Sequence, residues 1–280
     1  MTPRTGSPLG LLDAALAAHA ARLRALAARA RAGGDDALVH DVRVVLRRVE
    51  EVARLFRGAP RGTDGEELRE WARRLRRRLS LARSDEVGRT LLAARLGGDG
   101  QALLRTVFPE EPPGTRVEAG DLSGVLRRLS AWRRRIASAS GGPFAPAAGL
   151  EAALLARARR RLRRRVDRLS KLLPPGRRTL HAARIAAKRV RYALEVLEPL
   201  DPELRPILRL FRAFQEAAGD AHDLAELASR VRAAGPALDG TLAGIEADAA
   251  GAVAAARRRG AALERPVRRL LAALGRRESR

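Results

Sequence analysis

The chain has 280 residues, 46% of them hydrophobic, no cysteine, and a formal net charge of +24 from 56 basic and 32 acidic residues. The lack of cysteine excludes disulfides, thiolate metal sites and cysteine nucleophiles. No apolar run approaches the roughly 20 residues of a membrane span, and the hydrophobic share excludes a disordered tail. A charge this large repels itself unless a polyanion neutralises it: nucleic acid, an anionic membrane or polymeric phosphate. Aromatics make up only 3%, so the core falls to Leu, Val and Ala. Ala, Leu, Arg and Glu are good helix formers, and composition predicts an all-α fold. Lys171 and Lys188 are the only lysines and all other basic residues are Arg. The Arg fork matches phosphate oxygens bidentately, but a genome that favours Arg codons gives the same ratio.

Breaks rich in Gly and Pro separate segments with apolar residues at i, i+3, i+4 and i+7. The first predicted helix, 8–32, is interrupted by Asp13 and His19. It reads as part of the fold and not as a signal peptide, which makes the cytoplasm the default location. The second, 35–57, starts at Asp35 and Asp36, which read as N-caps, and carries His40. At about 100° per residue, Arg43, Arg47 and Arg54 fall within a roughly 60° arc beside His40. Val45, Val49, Val52 and Phe56 lie opposite. In helix 64–83, Arg69, Arg73, Arg76 and Arg77 share a stripe, with Leu68, Trp71, Leu75 and Leu79 turned to the core. Short helices 85–96 and 101–108 follow, then 121–139 opening at Asp121.

The loop Gly141-Gly142-Pro143-Phe144-Ala145-Pro146 divides a single domain, 1–280, into helical halves 8–140 and 147–275. Helix 149–173 carries Arg157, Arg161, Arg164 and Arg168 on one stripe. Helix 177–198 carries His181, Arg184, Lys188, Arg189 and Arg191. Segments 201–218, with Arg205, Arg209 and Arg212, 221–234, 237–260 and 264–274 complete the chain, with breaks at Gly219 and Gly260. No segment alternates convincingly at period two.

The halves repeat each other. His40-x-x-Arg43-x-x-x-Arg47-Arg48-Val49 aligns with His181-x-x-Arg184-x-x-x-Lys188-Arg189-Val190. Arg69, Arg73 and Arg76 have the spacing of Arg205, Arg209 and Arg212, and Ser84-Asp85-Glu86-Val87 aligns with Ala221-His222-Asp223-Leu224. A period this long is not a solenoid array; it predicts two bundles about a pseudo-twofold axis. Like charges one turn apart destabilise a helix, and interleaved Glu looks sparse on these cationic faces. Their recurrence in both halves favours a shared anion channel over plain solvated surface.

Metal binding is not expected, because neither His has a carboxylate or second His one turn on. No enzyme is expected either. Phosphoryl transfer needs metal-binding carboxylates or a phosphate-cradling Gly-rich loop, and the sequence has neither a GxxxxGK[ST] loop nor an inward-looking carboxylate cluster. Asp220 and Asp223 read as a helix start or an ion pair to a basic helix. Trp71, Trp132, Phe56 and Phe211 occupy apolar positions, where they cannot serve as stacking platforms, so only weak, non-specific nucleic-acid binding is expected. The cationic faces lack the aromatic-flanked apolar face of an interfacial helix, so no membrane role is expected.

The two His motifs, Tyr192 in Lys188-Arg189-Val190-Arg191-Tyr192, and Gly219-Asp220-Ala221-His222-Asp223-Leu224 together resemble the CHAD domain, the conserved-histidine α-helical domain, from about residue 8 to 275. The resemblance implies two four-helix bundles about a pseudo-twofold axis, with a central basic channel. It also implies non-catalytic binding of inorganic polyphosphate, and in some members association with polyphosphate granules. Carried over, His40, Arg43, Arg47, Arg48, His181, Arg184, Lys188 and Arg191 would contact phosphate, and the Arg69/Arg73/Arg76 and Arg205/Arg209/Arg212 rows would extend the track. The first copy departs from the pattern at Arg83-Ser84-Asp85-Glu86-Val87, so the resemblance assigns no role to Asp85. No E-x-E-x-K signature of a fused triphosphate tunnel domain is present, so a stand-alone module is expected, with no cofactor.

Overall fold

The computed structural model describes residues 8–34, 36–57, 65–96, 101–108, 117–141, 147–198 and 201–276. Among them there is no strand. Ten α-helices follow in order: α1 (Pro8–Arg31), α2 (Asp36–Leu55), α3 (Glu66–Arg78), α4 (Ser80–Leu96), α5 (Gln101–Val107), α6 (Ala119–Gly141), α7 (Ala147–Ser170), α8 (Leu180–Leu197), α9 (Arg205–Ala234) and α10 (Asp239–Arg276). The expectation of an all-α chain is met. No described helix is long and apolar enough to cross a membrane.

The apolar stripes explain the packing. α2 buries Val42, Val45, Val49, Val52 and Phe56, the face opposite His40, and α8 buries Ala183, Ala187, Val190, Leu194 and Leu197. In α6, Leu122, Val125, Leu129, Trp132 and Ile136 bury one face at helical spacing. Each fully buried side chain of this kind contributes about 1.5–3 kcal/mol. α2 packs on α1 and α3, and α6 packs on the same two; α8 packs on α7 and α9, and α10 packs on the same two. α2 also packs on α8, and one core runs through all eight of these helices. A smaller core around Phe108 and Ile245 joins α4 and α5 to α9 and α10.

Three boundaries differ from the sequence reading. α9 runs straight through Gly219, so Asp220 and Asp223 sit inside a helix and not at its start. A helical Gly costs only about 1 kcal/mol against Ala. The face of Phe211, Phe214, Ala218, Ala221 and Leu227, buried along the length of α9, outweighs it. α10 likewise continues through Gly260 and Pro266. A Cβ on Gly260 would lie 2.5 Å from the Pro175 ring and 3.1 Å from Phe214, so this glycine permits close packing and does not end a helix. Finally, the break between α3 and α4 comes at Leu79, where Arg43 donates to the Leu79 carbonyl at 2.6 Å. That contact satisfies one of the carbonyls a helix end leaves unpaired. Asp35 lies outside the described residues, as do the side chains of Leu81 to Glu86.

Candidate functional site

Because α2 and α8 bury opposite faces, their cationic faces meet. Between them lies a cleft of about 480 Å³, flanked by α3, α4 and α9. His40, Arg43, Arg47 and Arg54 line it from α2, and His181, Arg184, Lys188 and Arg189 from α8. Arg76 reaches it from α3, and His222, Asp223, Glu226 and Arg230 from α9. The His181 and His222 ring centroids are 5.3 Å apart.

Carboxylates sit at the inner wall, which corrects the expectation of none looking inward. Glu50 and Glu51 are each only 2% exposed. Glu50 accepts from Arg76 at 2.5 Å and from Arg54 at 3.2 Å. Glu51 pairs with Arg54 at 3.6 Å and with Arg165. Interleaved acid is therefore less sparse than it looked, but these two charges are committed to Arg54, Arg76 and Arg165. No hydrogen bond or ion pair among the described residues engages Arg47, Arg184, Lys188 or Arg189. The Arg184 Nε is buried with no hydrogen-bond partner.

Burial first, then the Arg184 and Arg47 charges, push the Lys188 ammonium down to about 7, with Asp223 pulling the other way. Burial and then Arg184 hold His222 below the ordinary imidazole range, against the pull of Asp223 and Glu226. Burial also lowers Arg184. Such shifts mean that cations are crowded with too little counter-charge. An anion entering the cleft would relieve that cost.

Two further clefts adjoin this one. About 660 Å³ lies between α1, α2, α8 and α9, lined by Arg48, Arg205, Arg209, Arg212, Glu195 and His19, and it shares Tyr192 with the first cleft. About 360 Å³ lies against α7, lined by Arg161, Arg164, Arg165 and Arg168, and it shares Arg54 and Arg189 with the first. All but five of the basic residues that the sequence sets on these helix faces and rows thus line one of three adjoining clefts. The other five line none of them. Arg69 is ion-paired to Glu66. Arg191 pairs with Glu195 at 3.3 Å and lies over the Tyr192 ring. Arg77 and Arg157 are exposed, and Arg73 is half-buried on α3. Trp132, Phe56 and Phe211 are buried as expected. Trp71 is half-buried, with the Arg128 guanidinium 4.1 Å from its ring centroid.

Sequence reasoning left out Glu50, Glu51, Arg165, His222, Asp223, Glu226 and Arg230. The helical wheel contained a signal for Glu51, which falls about 20° from His40. His222 stands in the very segment that the repeat aligns.

A family model for the CHAD domain matches residues 14–232. The chain belongs to the CHAD domain family. No curated protein and no solved structure matches it. The CHAD match takes in α2, α8 and nearly all of α9, and therefore every helix that lines the first cleft. It stops short of α10, which packs along α9 and α7. Among the described residues, no group of three or more His, Cys, Asp or Glu is arranged to hold a metal ion.

Proposed function

We propose that this CHAD protein is a non-catalytic binder of inorganic polyphosphate, held in a basic channel made of the three adjoining clefts. The observation that carries the reading is the set of four cations, Arg47, Arg184, Lys188 and Arg189, that face one cleft with no hydrogen-bond or ion-pair partner among the described residues. A flexible chain bearing one charge per phosphate fits such a run, and Arg forks take its oxygens bidentately. The binding set is His40, Arg43, Arg47, Arg48, Arg54, Arg76, Arg161, Arg164, His181, Arg184, Lys188, Arg189, Arg205, Arg209 and Arg212. Arg69, Arg73, Arg77, Arg157 and Arg191 are positioned to extend the track on the outer surface or to position its neighbours.

The channel belongs to two four-helix bundles, α1–α2–α3–α6 and α7–α8–α9–α10, about a pseudo-twofold axis between α2 and α8. The matched packing orders support this. So does a reciprocal crossing: Arg48 of the first half reaches Glu195 of the second at 3.6 Å, while Arg189, its repeat mate, acts on Glu51 of the first. We place the protein in the cytoplasm with stored polyphosphate, at granules where these form.

Calorimetric titration at physiological salt tests the reading, with long-chain polyphosphate against a single-stranded oligonucleotide of matched charge. Polyphosphate should bind far more tightly, and its affinity should fall linearly with log salt as counterions are released. Equal affinity for the two polymers would make the protein a generic, non-specific nucleic-acid and polyanion binder and would refute the proposal.

A further inference from the structure

The two lysines stand in opposite surroundings. Lys171 is exposed and its Nζ donates to Asp167 at 2.8 Å. Lys188 is half-buried in the α2–α8 cleft, with no hydrogen-bond or ion-pair partner among the described residues. Arg184 and Arg191 on α8 and Arg47 on α2 crowd it, with Asp223 on α9 pulling the other way. Arg47, Arg184 and Arg189 keep their charge whatever Lys188 does, and can hold a phosphoryl group by themselves. An amine is a nucleophile only when it is not protonated. The cleft therefore places a small phosphate-binding subsite beside an amine free to react.

We infer that Lys188 is a covalent modification site that takes its acyl group directly from acyl phosphates. The phosphoryl group docks on Arg47 and Arg184, and the neutral Nζ attacks the acyl carbon. The new bond is the amide C–N bond, and the bond broken joins the acyl carbon to the bridging oxygen. Inorganic phosphate leaves with the bonding pair and takes up the proton lost by the nitrogen. No oxidant, metal or second enzyme is needed. The product amide carries no charge, so acylation weakens the cleft's hold on any polyanion and ties it to the supply of acyl phosphate. The inference rests on the phosphate-holding character of the cleft proposed above, and not on the ligand there being a polymer.

The expected selectivity follows from protonation. With its ammonium pushed down to about 7, Lys188 is about three-quarters neutral at pH 7.5, against about 0.1% for an ordinary lysine at about 10.4. A less basic amine is also a weaker nucleophile. With a slope like the 0.4–0.5 known for thiolates, that removes roughly one and a half orders of magnitude. About a tenfold preference remains; the docked phosphoryl group draws back part of the proton, and holding the acyl carbon at the amine offsets that loss.

The full chain would be incubated with acetyl phosphate and, in parallel, with the uncharged acetyl donor N-acetoxysuccinimide, and acetyl occupancy read at both lysines by peptide mass mapping. With acetyl phosphate, Lys188 should exceed Lys171 by at least about tenfold, and excess inorganic phosphate should suppress it. With the neutral donor, phosphate should slow Lys188 far less, since it then acts only by stabilising the ammonium and blocks no docking site. Equal occupancy of the two lysines, or a Lys188 reaction with acetyl phosphate that phosphate does not suppress, would overturn the inference. Long-chain polyphosphate serves as a further competitor. Phosphate-sensitive acylation of Lys188 that the polymer fails to block would count against the proposed polymer ligand and leave the acylation site standing.

Discussion

Lowering the pH from 8 to 6 should tighten polyphosphate binding by about tenfold, through one side chain. In the free protein Lys188 titrates near 7. Bound long-chain polyphosphate, with many charges along the clefts, stabilises its charged form, so that complex keeps the proton throughout this range. The unfavourable charging of the free state weakens binding by a factor of about 11 at pH 8 and about 1.1 at pH 6. The ratio is about tenfold, or about 1.4 kcal/mol. His222, held low by burial and Arg184, adds to the gain on the acid side. Long chains are the right ligand, since their interior phosphates hold a fixed charge over this range. Calorimetry at pH 6, 7 and 8 in constant salt would read the slope. Lys188→Arg should bind as tightly at pH 8 as the natural protein does at pH 6, with little slope between pH 8 and 7; Lys188→Gln should be weak and equally flat there. A flat natural protein, or an unchanged slope in Lys188→Arg, would refute the reasoning.

Other outcomes follow from the same contacts. Glu51→Ala leaves the half-buried Arg165 without its main partner and should cost roughly 3–5 kcal/mol in urea unfolding; adding Arg165→Met should recover much of it. Gly219→Ala, with nothing within 4 Å of the new Cβ, should raise stability by about 0.5–1 kcal/mol. Gly260→Ala, whose Cβ would meet Pro175 at 2.5 Å, should lower it by about 1–3 kcal/mol; thermal melts of the pair compare the two directly. Burial, then Arg48, pushes His19 down to about 4. The unfolded chain protonates it near 6.5, so stability should fall as pH drops from 6.5 towards 4. His19→Gln should flatten that part of the profile.

The faces of α2 and α8 could be read from the sequence because a 3.6-residue period puts His40, Arg43 and Arg47 on one side and Val45, Val49 and Val52 on the other. The repeat pairs His40 with His181 in sequence, and both line the α2–α8 cleft. Glycine misled where it serves tertiary packing. Gly260 makes room for Pro175 and Phe214, neighbours from α7's trailing loop and α9, and no local rule sees them. The buried carboxylates Glu50 and Glu51 lie among charged neighbours, and nothing local in the sequence marks them as buried. Only the approach of α3 and α7 shows that Arg76 and Arg165 enclose them. Arg157 and Arg161 share a stripe, yet only Arg161 lines a cleft. α2 decides that, since Arg161 donates to the Leu55 carbonyl at 2.9 Å.

The central claim is that location, not total charge, makes the binding site. Two variants with equal charge loss test it, each read by its affinity for long-chain polyphosphate at physiological salt. One replaces Arg47, Arg184, Lys188 and Arg189 in the cleft with Ala. The other replaces the exposed Arg24, Arg127, Arg134 and Arg135 of α1 and α6. At about 1 kcal/mol per lost contact, the cleft variant should lose roughly a thousandfold in affinity and the outer variant only a few-fold. Equal losses in two folded variants would mean that the protein holds polyphosphate by diffuse charge, and the α2–α8 cleft would have no special part in it.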